Sequence, residues 1–89
     1  MKMLSLGQGN MVAVDRIVCI VSPDTAPVKR LVQDAKEEGR AIDVTGGKKT
    51  LSVIVCDSDH VILSKIRPAK LRGAVNTNDD KDIEDEEDE

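Results

Sequence analysis

The chain has 89 residues, 17 acidic against 13 basic, a net charge of −4, and no Phe, Tyr or Trp. Without aromatics it is poorly equipped for single-strand binding of the RRM or OB type, which stacks bases on rings, and it lacks the usual walls of a small-molecule pocket. No apolar run approaches 18 residues and no signal-peptide pattern is present, so the sequence predicts a cytoplasmic protein with no membrane partner and no small-molecule substrate.

The charge is unevenly divided. Residues 1–75 carry twelve Lys and Arg against eight Asp and Glu, a net +4, whereas residues 76–89 hold nine acids and one Lys, a net −8. The second segment has too little apolar surface to offset its ordering entropy, so a folded domain over 1–75 and a disordered acidic tail over 76–89 are predicted. A domain of that size is marginal with a single core and gains from a partner.

In chain order, residues 2–6 and 10–14 are short half-apolar runs around Gly7-Gln8-Gly9, the pattern of a hairpin with a glycine turn. That tripeptide neither follows a buried parallel strand nor opens a helix, which excludes a phosphate loop. Residues 17–21, Ile-Val-Cys-Ile-Val, read as a strand buried on both faces.

Residues 22–39 form the only long helical pattern. Val28, Leu31, Val32 and Ala35 recur at i, i+3, i+4 and i+7. Ser22, Asp24 and Thr25 are competent N-caps, Pro23 or Pro27 suits a first turn, and Gly39 suits the left-handed stop. Residues 40–44, 50–56 and 60–66 read as further strands, separated by Thr45-Gly46-Gly47-Lys48-Lys49 and Asp57-Ser58-Asp59 turns. Residues 68–71 suffice for one helical turn.

The implied fold class is α+β: a small, mostly antiparallel sheet with one main helix. One helix covers one face of one sheet, yet residues 17–21, 53–56 and 61–63 are apolar on both faces. The surplus predicts that another copy of the chain covers the second face.

Cys19 and Cys56 sit inside apolar runs and read as reduced core residues, with a mutual disulfide as the alternative. Asp57, Asp59 and His60 form the only metal-like cluster, but an Asp-Ser-Asp turn more often caps its own backbone, and His60 then begins the next strand. No triad or Cys–His spacing stands out, so neither catalysis nor a cofactor is expected. Lys48 and Lys49 project from a glycine turn beside the Thr50 hydroxyl, a set suited to phosphate oxygens, and Arg16 in another connection offers a forked guanidinium. Composition alone leaves solubility as an equal account of the lysine pair.

The segments SPDTAPVKRLVQDAKEEGRAIDVTGGKKT and VIVCDSDHVILSKIRP closely resemble the RemA family of bacterial regulators of extracellular-matrix (biofilm) genes. The match runs from about Leu4 to Leu71 and rests on SP-x-x-AP-x-KR, QDA, ID-x-T-x-G and DSDHVILS. The resemblance implies a LytTR-like fold joined to an oligomerisation element, and rings that bind double-stranded DNA as transcriptional activators in the nucleoid. It assigns DNA contact to Arg16, Lys48 and Lys49, the last two where Arg-Arg is common in the family. Lysine keeps the charge but loses bidentate geometry. Pro27 also matches, in the helix entry. The alternative class is an oligomeric scaffold that does not touch DNA. The resemblance is silent on the tail; its charge suits either competition with DNA for Arg16, Lys48 and Lys49 or simple solubilisation.

Overall fold

The computed structural model describes residues 2–75; the segment 76–89, for which a disordered acidic tail is expected, lies outside the described residues. The first element is the expected hairpin, β1 (Met3–Gly7) and β2 (Asn10–Ala13), with Leu4 opposite Val12. Its turn carries positive φ at Gly7, Gln8 and Gly9 (88°, 56° and 81°). A 3-10 turn at Val14–Arg16 leads into β3 (Ile17–Val21).

After β3 come α1 (Ala26–Glu37), β4 (Ala41–Asp43), β5 (Ser52–Cys56), β6 (Val61–Ser64) and α2 (Pro68–Val75). The main sheet has the order β3-β5-β6-β4, with β3/β5 and β5/β6 antiparallel and β4/β6 parallel. Strands β3 and β4 therefore run the same way on opposite edges. Helix α1 crosses between them over one face, and the β5–β6 hairpin fills the gap. The fold is α+β with a mostly antiparallel pairing, as expected; the parallel edge follows from that helical crossover.

Helix α1 starts from Thr25, which is extended (φ −98°, ψ 152°) but makes no side-chain cap bond, and Pro27 lies in the first turn. Beyond Glu38 the chain turns at Gly39 with φ 75°. The apolar stripe packs as its period predicts: Val28, Leu31, Val32 and fully buried Ala35 lie against Val53, Val61 and Leu63.

The opposite face overturns one expectation. No second copy is needed to cover β5 and β6, because the chain covers them itself. Leu4, Leu6 and Val12 from the hairpin and Leu71 from α2 pack against Ile54, Cys56, Ile62 and Ile66. Helix α2 is correspondingly longer than the single turn expected, eight residues, and the Lys2 ammonium donates to the Ala74 and Val75 carbonyls at its end (3.0 and 3.2 Å). A cation there meets the negative end of the helix dipole and satisfies carbonyls that lack a helical partner.

Strand β3 corrects a second reading. It is an edge strand with a register shift between Ile17 and Cys19, and Val18 is 64% exposed. A bulge breaks the alternation, so five consecutive apolar residues here do not mark burial on both faces. Cys19 is exposed, against its expected place in the core, while Cys56 is buried, and both thiols are free. Burial, and secondarily Asp57, raises the Cys56 thiol above its ordinary pKa, as befits a small core hydrophobe. Beside β3 an open groove of about 330 Å³ runs between Ile17, Val18, Ile20, Pro68, Arg72 and Val75.

Candidate nucleic-acid interface

The turn after β4 is built by its own side chains. Thr45 donates its backbone N–H (2.9 Å) and its hydroxyl (2.6 Å) to Asp43 Oδ1. Thr45 is 2% exposed, so this pair fixes the base of the loop. Gly46 and Gly47 then take φ of 67° and 88°, and the Lys48 N–H returns to the Thr45 carbonyl (3.2 Å). The Ile-Asp-x-Thr-x-Gly pattern is thus a mechanical unit: an Asx-type turn, two left-handed glycines, then two exposed lysines, Lys48 and Lys49.

The Thr45 hydroxyl, then its backbone N–H, hold the Asp43 carboxyl below the usual carboxylate range. A depressed folded pKa contributes stability above the unfolded value, about 3.9, and that contribution is lost as pH falls through the folded one. Acid unfolding followed by far-ultraviolet circular dichroism checks this. Asp43→Asn should flatten the loss of stability below about pH 4 and lower stability near neutrality.

A second glycine turn meets the first. A Cβ added to Gly46 would stand 2.8 Å from Gln8 Oε1 and 3.0 Å from Gln8 Nε2. The tip of the β1–β2 hairpin therefore lies against the basic turn. Lys29 and Lys36 of α1 share a groove with Thr50, the residue after Lys49. Sequence reading missed all three neighbours of the lysine pair. The spacing of Lys29 and Lys36, seven residues apart, puts them on one flank of α1, the signal that attention to the apolar stripe passed over.

Arg16 stands apart. Its carbonyl accepts from the Asp57 N–H (2.9 Å) just beyond the end of β5, whereas Lys48 and Lys49 precede the start of that strand. Strand β5 and its flanks separate them by roughly 20 Å. Arg16 Nη1 also pairs with Asp57 Oδ2 (3.1 Å), with both side chains largely exposed. Asp57 is thus engaged by Arg16, and Ser58 Oγ meets His60 Nδ1 at 2.8 Å. His60 itself precedes β6. Among the described residues, no three His, Cys, Asp or Glu side chains gather as a metal site.

Exposed ion pairs contribute little and yield to a competing anion. If Arg16 contacts phosphate, Asp57→Asn should tighten duplex-DNA binding by about two- to fivefold at low salt. Asp59→Asn, which removes the same charge without touching Arg16, should give a smaller gain. Titration of a labelled duplex against both variants measures the difference.

Split β-α-β sheet, self-covered second face and exposed basic turn define a small α+β domain with polar loops at both ends of its strands. The chain belongs to the RemA-like family: the profile described as Extracellular matrix regulatory protein A-like matches residues 3–74. It is 50% identical over 80 residues to a protein of Geobacillus thermodenitrificans, covering 90% of this chain and 92% of that one. A Clostridium beijerinckii protein is 47% identical over 88 residues, covering 99% and 97%. One from Acetivibrio thermocellus is 45% identical over 84 residues, covering 94% and 90%. All three are named for a regulatory role, and none for a reaction. No described helix is long and apolar enough to cross a membrane.

Proposed function

We propose that the protein is a transcriptional regulator of matrix-type genes that binds double-stranded DNA as a ring-shaped homo-oligomer, through a LytTR-type domain. The observation that carries this reading is the Gly46-Gly47-Lys48-Lys49 turn, locked at its base by Asp43 and Thr45 in a chain of the RemA-like family. Two lysines held on a fixed loop are phosphate contacts at little ordering cost. Arg16, roughly 20 Å away across β5, adds a third cation at the other end of that strand.

Three cations give weak binding alone, so repetition supplies the affinity. The sheet has two unlike edges, β3 and β4, each bearing an exposed apolar residue: Val18 (64%) and Ile42 (44%). Contact between unlike surfaces of successive copies closes into a ring when the rotation permits. Each added copy then raises the effective concentration of the next set of cations.

The test is the dependence of duplex affinity on salt. Binding through several phosphates should weaken by orders of magnitude between about 50 and 200 mM salt. A flat dependence removes the mechanism. The scaffold alternative is separated earlier still: a protein without aromatics hardly absorbs at 280 nm, so copurifying nucleic acid is conspicuous at 260 nm.

A further inference from the structure

The hairpin tip at Gln8 lies beside the basic turn. The flanking Gly7 and Gly9 have φ of 88° and 81°, and Gln8 itself has φ 56°. A left-handed residue between two glycines is most cheaply a third glycine or an asparagine, and Gln there carries backbone strain. Burial does not compensate it, because Gln8 is exposed. The two-residue loop between paired Gly7 and Asn10 requires positive φ at both Gln8 and Gly9, so the hairpin itself sets this conformation. The tip is also fixed from within. Asn10 Nδ2 donates to the Gly7 carbonyl (3.2 Å), and the Gly7 N–H donates to Ser5 Oγ (3.3 Å). Its carboxamide lies over Gly46, at the base of the loop that presents Lys48 and Lys49.

We infer that Gln8 is a base-reading residue of the DNA interface, its carboxamide set to pair with an adenine in the major groove while Lys48 and Lys49 hold the adjoining phosphates. The inference rests on the DNA-binding reading above and adds what that reading lacks, a group able to distinguish sequences. Lysines at phosphates position a protein but carry no sequence information. A glutamine carboxamide offers one donor and one acceptor, the complement of adenine N7 and N6–H₂. The major groove admits a two-stranded ribbon, and β1–β2 is one, a separate two-stranded sheet with Gln8 at its end.

The experiment is selection from a pool of random duplexes by the full chain and by Gln8→Gly and Gln8→Asn, with thermal unfolding of each. Glycine relieves the positive φ, so Gln8→Gly should melt no lower than the parent; asparagine tolerates that φ but is one methylene too short. The parent should enrich an adenine at a fixed position, preferred at least about fivefold over other bases. Both variants should lose that preference while binding unselected duplex within about twofold of the parent and with the same salt slope. Retention of the preference by either variant overturns the inference and leaves the DNA-binding reading intact. So does a parent that binds duplex without enriching adenine, or a Gln8→Gly protein that loses binding together with melting temperature, which would make Gln8 a structural buttress. A parent that binds no duplex at all overturns both.

Discussion

Lys48→Ala combined with Lys49→Ala should weaken duplex binding at least about tenfold at low salt, and lower the slope of log affinity against log salt by nearly two per engaged subunit. Each phosphate contact releases about 0.9 of a counterion, so two lost cations give that slope change. In an oligomer the loss repeats with every copy that touches the duplex, and the affinity change compounds. The turn itself should survive. Both side chains are exposed, and the Lys48 bond to the Thr45 carbonyl uses the backbone N–H, which alanine retains. Assembly measured by sedimentation should match the parent. If the double variant instead falls apart into smaller species, the lysines belong to a subunit contact and the assignment fails. Lys48→Arg with Lys49→Arg is the complementary test: it keeps the slope and should tighten binding if forked contact to phosphate adds strength.

What the sequence made legible was local. Helix α1 could be placed because Val28, Leu31, Val32 and Ala35 carry its period within eight residues and Gly39 ends it at positive φ. The basic turn was visible in the same way, as two glycines and two lysines in a row. Its mechanism, Asp43 bonded to Thr45, is also a contact between near neighbours.

The rest depended on partners far away in the chain. Helix α2 read as one turn because residues 68–75, with a glycine among them, make a poor helix by themselves; its end is held by Lys2, 72 residues earlier, and its Leu71 by the hairpin core. Arg16 read as a forked guanidinium in a strand connection, and its ion-pair partner Asp57 lies 41 residues on. Strand β3 looked the same as β5 in composition, since a bulge and an edge position leave no mark in hydrophobicity. The approach of Gln8 to Gly46 joins two turns that sequence reading treated separately. A basic loop was recognisable from its residues, but the surface around it was not, because that surface is assembled by packing.

The self-covered second face gives the other large effect. Leu71→Ala should cost about 2–5 kcal/mol, the range for truncating a fully buried leucine. For a small domain with 5–15 kcal/mol in total, that is enough to populate the unfolded state under mild denaturant. Leu71 is 0% exposed in the cluster with Leu4, Leu6, Ile54 and Ile66, so its truncation removes fully buried apolar contacts. The measurement is a urea midpoint by circular dichroism at 222 nm, the chain having no aromatic fluorophore. Val18→Ser on β3 supplies the contrast. At 64% exposure its loss should change the unfolding free energy of the isolated chain by less than about 0.5 kcal/mol. If Leu71→Ala is nearly neutral, α2 is not what covers β5 and β6, and the original expectation of a second copy on that face returns. If Val18→Ser is instead costly, and its cost grows with protein concentration, β3 is buried between copies and the ring forms through that edge.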